Sequence, residues 1–141
     1  MSSHELVITH REEFAAAHRL VSPHLSEAEN RSLYGPCFSL HGHNYGLEVS
    51  VAGTLDLRTG MVMDLNRLME VVRKEIVSTV DHRYLNEDVP YLRGRIPTAE
   101  VLAVAFWERL FPHFGASSVR LARVRVMESC SNWAEFTGAG A

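Results

Sequence analysis

The sequence predicts an α+β protein in which an antiparallel β-sheet carries two helices on one face. Three stretches, residues 5–19, 41–53 and 119–128, alternate apolar and polar side chains, as strands with one buried face do. Two other stretches, which follow Asp64 and Thr98, repeat apolar residues at helical spacing. Hairpin-like pairs of strands combined with two helices favour a mainly antiparallel sheet.

Composition indicates a globular protein of ordinary type. The 141 residues are 46% hydrophobic and 22% charged, and no linker or repeat divides them, so we predict a single domain over residues 1–141. A formal net charge of −3 argues against nucleic-acid and membrane-surface partners. No signal peptide or membrane-length apolar run is visible, so the cytoplasm is expected. The two cysteines, Cys37 and Cys130, are expected to be reduced thiols.

The predicted strands bring three histidines to buried positions. In the first strand, residues 5–19, His18 has the parity of the apolar positions. In the second strand, about residues 41–53, both His41 and His43 have the apolar parity. If the strands pair antiparallel, the end of the first meets the start of the second, and the three imidazoles converge.

Three neutral imidazoles on an apolar face need polar partners there. A zinc ion at about 2.0–2.1 Å from each nitrogen would supply one, and an open fourth position would make the site catalytic. The alternative is that the pair at His41 and His43 faces solvent in a loop.

Helix boundaries carry capping signals. Asp64 and Thr98 are predicted N-caps, and the helix after Thr98 is expected to close near Gly115. A short helix in the connection after the first strand begins with the capping-box pattern Ser26-x-x-Glu29. The buried face of the first long helix is predicted to comprise Leu65, Leu68, Met69, Val72, Ile76 and Val80. Further predictions are a short strand at residues 61–63, a bulge in the strand where Val119 and Leu121 break the alternation, and a last strand at residues 133–137.

Cys37 lies four residues before His41, which puts its thiol within reach of the same site. Near a cation it is a candidate metal ligand, nucleophile or general base, and a buried inert thiol is the alternative. In Asp81-His82, after the first long helix, the carboxylate could fix the tautomer of the imidazole. A pair at a helix end is, however, more often solvated surface.

Three further polar residues have both structural and functional interpretations. Glu128 has the apolar parity of its strand, where a carboxylate is costly unless paired. It could accept adjacent N–H groups of a ligand, or the strand has already ended and its side chain is exposed. Thr98 and Glu100 are fully explained as the N-cap and the first-turn acid of a helix.

Six sequence motifs, which run in order from residue 14 to residue 128, resemble the 6-pyruvoyltetrahydropterin synthase and 6-carboxytetrahydropterin synthase family. One of them alone would be a weak signal, but six in order are specific. The motifs are Phe14-Ala15-Ala16-Ala17-His18-Arg19-Leu20, Cys37-x3-His41-Gly42-His43-Asn44-Tyr45, Gly60-Met61-Val62-Met63-Asp64-Leu65, Asp81-His82-x2-Leu85-Asn86, Pro97-Thr98-Ala99-Glu100 and Val126-Met127-Glu128.

The resemblance implies the tunnelling fold, in which trimers join their sheets in a β-barrel and commonly stack as hexamers. The implied substrate is 7,8-dihydroneopterin triphosphate, a small molecule whose triphosphate would leave toward Arg19 or another arginine. The implied site residues are His18, His41 and His43 for zinc, Cys37 with Asp81 and His82 for catalysis at a subunit interface, and Glu128, Thr98 and Glu100 for the pterin pocket.

The two branches of the family differ in product. Three residues separate Cys37 from His41, as in the bacterial branch that forms 6-carboxytetrahydropterin, whereas the connection at residues 25–30 resembles the pyruvoyl branch. The spacing predicts 6-carboxytetrahydropterin, with release of triphosphate and acetaldehyde, for queuosine and deazapurine biosynthesis. The alternatives are 6-pyruvoyltetrahydropterin, a non-catalytic pterin- or zinc-binding oligomer, and a zinc hydrolase that uses metal-bound water.

Overall fold

The computed structural model describes residues 4–115 and 118–138. Its strands are β1 Glu5–His18, β2 His41–Thr54, β3 Arg83–Tyr84, β4 Arg120–Met127 and β5 Trp133–Phe136. They lie in the order β3-β1-β2-β4-β5, and all neighbours are antiparallel except β3, which runs parallel to β1. The α+β class and the mainly antiparallel sheet predicted from the sequence are therefore confirmed.

Four α-helices accompany the sheet. A π-helical turn, Arg73–Val77, joins the second helix to the third, so the predicted first long helix is one helical segment with an interruption. Asp64, Thr98 and the capping box at Ser26 all make the predicted hydrogen bonds. None of the helices in the described part of the chain is long and apolar enough to cross a bilayer. The helices are α1 Glu27–Tyr34, α2 Leu65–Val72, α3 Ser78–Val80 and α4 Ala99–Leu110.

Three local predictions are wrong. Leu65 is 50% exposed because it begins the first turn of α2, and burial starts one turn later. The strand at residues 61–63 is reduced to one bridge, Asp56 to Met61, because a tight turn closes directly between them. The helix after Thr98 ends at Leu110 and continues as a 3₁₀ turn, since Pro112 has no N–H with which to extend it.

Two predictions about the last strands are confirmed. Arg123 pairs with Ser50 whereas Leu121 pairs with Val51, so that one extra residue bulges out of β4. The expected final strand is β5, which pairs with β4.

The register of β1 and β2 fixes the position of the histidines. His18 pairs with His41, and Ala16 pairs with His43. Because paired residues of an antiparallel ladder point to the same side, all three imidazoles emerge on one face of the sheet. That face also carries Phe14 and Tyr45, which pack in the core that the sheet shares with α2 and α4.

Candidate active site

The three histidines predicted as metal ligands come together at the end of the β1–β2 ladder. One nitrogen from each of His18, His41 and His43 lies within 4.8 Å of the other two. The rings meet edge to face, with centroids 4.6 Å apart for His18 and His41 and 5.0 Å apart for the other two pairs. Since His41 and His43 belong to β2, the alternative of a solvent-facing loop is wrong.

Two backbone carbonyls fix the orientation of the imidazoles. Nδ1 of His18 lies 2.8 Å from the Pro97 oxygen, and Nδ1 of His41 lies 2.7 Å from the Ser39 oxygen. A carbonyl oxygen only accepts, so each Nδ1 carries the hydrogen, and in the neutral ring the lone pair is on Nε2. Nε2 of His18 is buried and has no hydrogen-bond partner. A lone pair presented in this way is what a divalent cation requires, so these residues fit a metal ion.

The pKa values of His18 and His43 also favour metal binding. Burial lowers the pKa of His18 to about 4, helped by the neighbouring His41 and His43 and opposed by the hydrogen bond to Pro97. Burial also lowers the pKa of His43, against the opposing effect of the Glu128 charge. Both imidazoles are therefore neutral at neutral pH, which is the form that binds metals.

Tyr45 contacts His18 from the buried core of the protein. Its side chain is fully buried and stacks on Phe14 with ring centroids 4.9 Å apart. Its hydroxyl oxygen lies 3.2 Å from Nδ1 of His18, and burial raises the pKa of the phenol, so the hydroxyl stays protonated. From the alternation of β2, Tyr45 was expected only to pack in the apolar core. No sequence signal indicated that the carbonyls of Pro97 and Ser39 would orient the imidazoles.

Glu128 lies beside the three imidazoles. β4 ends at Met127, and the N–H of Glu128 donates to the Asn132 oxygen at 3.2 Å. The side chain of Glu128 is 29% exposed, and its Oε1 lies 3.8 Å from Nε2 of His18. The strand has thus ended, as one alternative held, yet the carboxylate still points toward the histidines, where it could accept N–H groups of a ligand.

Cys37 occupies a 3₁₀ turn, Gly35–Phe38, that is attached to the end of β1. The carbonyl oxygen of Cys37 accepts from the N–H of Leu20 at 2.8 Å, two residues beyond His18. Its thiol is free and exposed, so the alternative of a buried inert thiol is wrong. Cys130 is also free and exposed, which confirms two unpaired cysteines. The catalytic role of Cys37 stays a prediction.

Asp81 and His82 form a pair directly after α3, beside β1. Nδ1 of His82 lies 3.0 Å from the Asp81 carboxylate, and a φ of 60° at His82 brings these adjacent side chains together. The other Asp81 oxygen accepts from the N–H of Ala15 at 2.9 Å, and this bond lowers the pKa of Asp81.

The imidazole of His82 lines an open depression of about 630 Å³. It is also lined by Ala15, Ala17, Gly42 and Asn44, which alternate with the histidine positions, and by Ala16 and His43, so the depression lies beside the end of the β1–β2 ladder that carries the three imidazoles. In the described residues no hydrogen bond or ion pair joins Asp81 or His82 to the three imidazoles. One chain therefore brings His82 and His43 to the same depression without a direct polar contact between them among the described residues.

Thr98 and Glu100 retain their structural explanation. The Thr98 hydroxyl accepts from the N–H of Val101 at 3.2 Å and caps α4. Glu100 is exposed and lines a separate cavity of about 480 Å³ with residues that include Pro23 and Arg95. Contact of either residue with a pterin stays a prediction.

Comparison with known proteins agrees with these observations. The family model described as 6-pyruvoyl tetrahydropterin synthase matches residues 7–139. The chain is 38% identical over 136 residues to the 6-pyruvoyl tetrahydrobiopterin synthase of Dictyostelium discoideum, covering 96% of this chain and 98% of that protein. The human protein of the same name is 38% identical over 133 residues, or 93% of this chain and 90% of that protein. A putative 6-carboxy-5,6,7,8-tetrahydropterin synthase from Archaeoglobus fulgidus is 34% identical over 116 residues, or 82% and 91%.

Solved structures give the same result for the fold. The structure of Caenorhabditis elegans 6-pyruvoyl tetrahydropterin synthase superposes with a TM-score of 0.90 at 34% identity, over 99% of this chain and 100% of that one. The tunnelling fold expected from the sequence is thereby confirmed. The residues that converge at the end of β1 and β2 and these similarities lead to one conclusion: the chain belongs to the 6-pyruvoyl tetrahydropterin synthase family.

Proposed function

We propose that this protein is a zinc-dependent lyase that eliminates triphosphate from 7,8-dihydroneopterin triphosphate and forms 6-pyruvoyltetrahydropterin. The observation that carries the proposal is the convergence of three imidazoles, with the unpartnered Nε2 of His18 buried among them and the Glu128 carboxylate beside them. The pyruvoyl product takes precedence because the relatives named for it are 38% identical, against 34% for the putative carboxy-forming relative. The spacing of Cys37 and His41 alone favoured the carboxy product, which is now the less supported of the two.

His18, His41 and His43 would hold the zinc ion through three nitrogens. When bound, the ion would supply Lewis acidity that stabilises negative charge on a side-chain oxygen of the substrate. The carbonyls of Pro97 and Ser39 keep two of the rings in the metal-binding tautomer before the substrate arrives. Little reorganisation is then required on binding.

The thiol and the carboxylates supply the remaining chemistry. Cys37 as a thiolate would remove the proton from the carbon adjacent to the one that bears the triphosphate, and the C–O bond would break with its electrons on the leaving oxygen. One hydroxyl-bearing carbon is oxidised as the pterin ring is reduced, so no outside oxidant is needed. Glu128 would accept the N–H groups of the pterin, and His82, oriented by Asp81, would act as the second acid and base.

The position of Asp81 and His82 bears on assembly. Because no hydrogen bond or ion pair joins them to the three imidazoles among the described residues, and the family resemblance implies that this pair acts at a subunit interface, we propose that each pair serves the site of a neighbouring subunit in a homotrimer or hexamer.

Replacement of Cys37 by alanine tests the catalytic assignment. We expect Cys37→Ala to keep its zinc and its thermal midpoint and to lose turnover by about 10²–10⁴-fold, since a positioned general base contributes that much. Cys130→Ala is the matched control because it removes the other exposed free thiol. Zinc is measured by inductively coupled plasma mass spectrometry, and turnover by release of triphosphate.

The products separate the competing activities. A pterin of 6-pyruvoyltetrahydropterin mass without acetaldehyde supports the proposal, and acetaldehyde with the carboxypterin supports the other branch. Hydrolysis that does not depend on Cys37 would indicate a zinc hydrolase. Tight pterin binding without any turnover would indicate a non-catalytic binding protein.

A further inference from the structure

Most arginines of this chain are neutralised by a carboxylate. Of thirteen arginines, nine have a carboxylate within ion-pair distance in the part of the chain that the structure describes. Of the other four, Arg58, Arg83 and Arg93 are exposed, and Arg19 alone is half-buried. A partly buried cation without a counter-charge is unfavourable, and the binding of an anion would compensate for it.

The protein holds Arg19 in a fixed conformation. Its Nε–H donates to the Phe38 carbonyl oxygen at 2.9 Å, and its guanidinium lies 4.3 Å from the centroid of the Phe38 ring. The Asn86 side chain accepts from the Arg19 backbone N–H at 3.0 Å and donates to its carbonyl at 2.9 Å. The side chain and backbone are therefore both positioned, which leaves the terminal N–H groups oriented for an incoming ligand.

The surroundings of Arg19 connect it to the candidate site. Arg19 directly follows the metal-ligand candidate His18, and Phe38 directly follows Cys37. The hydrogen bond between Leu20 and Cys37 holds these two segments side by side. A guanidinium binds phosphate oxygens through two parallel N–H bonds, which suits a leaving group of several phosphates.

We infer that Arg19 binds the triphosphate of the substrate and retains contact with it as the C–O bond breaks. This inference rests on the proposed function and assigns the residue that receives the leaving group. Arg31 offers an internal comparison, because its guanidinium lies 4.9 Å from the same Phe38 ring. Arg31 is exposed, however, and its charge is already paired with Glu27 at 2.8 Å.

Binding of inorganic triphosphate tests the inference directly. Calorimetric titration is carried out on the zinc-loaded full-length protein and on Arg19→Gln, Arg19→Lys and Arg31→Gln, with zinc content measured before and after. We expect Arg19→Gln to weaken triphosphate binding by about 10- to 100-fold, as the loss of a charged hydrogen-bonding partner does. The triphosphate affinity of Arg19→Lys should lie between those of the wild type and Arg19→Gln, because lysine supplies the charge but not the planar guanidinium that forms two parallel N–H bonds. The triphosphate affinity of Arg31→Gln should stay within about twofold of the wild-type value, because the charge of Arg31 is already paired with Glu27.

The outcomes separate this inference from the proposed function. If Arg19→Gln binds triphosphate as tightly as the wild type, the inference is overturned even where the wild type turns over its substrate. If triphosphate binding depends on Arg19 but dihydroneopterin triphosphate is not converted, the proposed function fails and the anion site stands. If Arg19→Gln does not fold, Arg19→Lys decides: weaker triphosphate binding at unchanged zinc content supports the inference, and equal binding overturns it.

Discussion

Gly42 separates the two histidines of β2 and lies opposite Ala17 of β1. A β-carbon at this position would come within 3.2 Å of the Ala16 carbonyl oxygen, a backbone atom that moves only with its strand. Gly46, on the same face of β2, differs in its neighbour: a β-carbon there would meet the terminal methyl of Met127 at 2.6 Å, and that methyl belongs to a flexible side chain. Of these two glycines, only Gly42 needs to lack a side chain for β1 and β2 to keep the spacing that positions the histidines.

We therefore expect Gly42→Ala to weaken zinc binding by about tenfold, the lower end of the effect of changes around metal ligands. The physical reason is that β1 and β2 must separate where His18 faces His41. Competition with a chromophoric chelator measures the affinity. Gly46→Ala is the control and should bind zinc as the wild type does; equal zinc affinity in both variants would contradict the role given to Gly42.

At the scale of elements, the start of α4 supports the site. Thr98 caps the helix, and the preceding residue, Pro97, provides the carbonyl that orients His18. The N-terminus of α4 thus supports His18, the proposed metal ligand, independently of any contact between Thr98 and the substrate. The two roles of Thr98 make different predictions.

Substitutions at Thr98 distinguish capping from substrate binding. Thr98→Ala should lower the free energy of unfolding by about 1 kcal/mol, the usual cost of a lost N-cap, and Thr98→Ser should lower it much less. Urea denaturation gives these values. Asp64→Ala, at the N-cap of α2, should cost a similar amount and leave the KM for substrate unchanged. A KM that rises in Thr98→Ser, whose cap is intact, would show that Thr98 acts on the substrate and not only on the helix.

At the scale of the whole molecule, the sheet has one covered face and an open edge. β3 pairs with β1 only at Ala16 and Ala17, so the remainder of this edge of β1 has no strand beside it among residues 4–115 and 118–138. An edge strand of this length presents backbone N–H and C=O groups that can pair with a strand of another chain. The proposed action of Asp81 and His82 in the site of a neighbouring subunit would require an assembly of this kind.

Mixing two inactive variants tests this arrangement. If Cys37 and His82 act together across a subunit interface, oligomers assembled randomly from equal amounts of Cys37→Ala and His82→Ala chains should regain up to about one quarter of the wild-type sites. The reason is that half of the chains keep Cys37 and the other half keep His82, so about one site in four receives both residues. Unfolding and refolding the mixture, followed by a turnover assay, measures the recovery. Each variant refolded alone is the control, and a mixture as inactive as its components would place both residues in the site of one chain.

The sequence by itself determined the features that depend on local spacing. Alternation in β1 and β2 placed His18, His41 and His43 on one face, because successive side chains of a strand point to opposite sides whatever the rest of the fold does. The N-caps at Asp64 and Thr98 were equally predictable, since a cap bonds within its own first turn.

Only the tertiary structure decided which groups surround those residues. The carbonyl of Pro97 lies 79 positions along the chain from His18, and Asn86 lies 67 positions from Arg19. The exposed first turn of α2 and the unpaired charge of Arg19 likewise depend on how distant segments pack. A local pattern cannot encode such contacts, because they arise from the path of the folded chain and not from the spacing of residues along it.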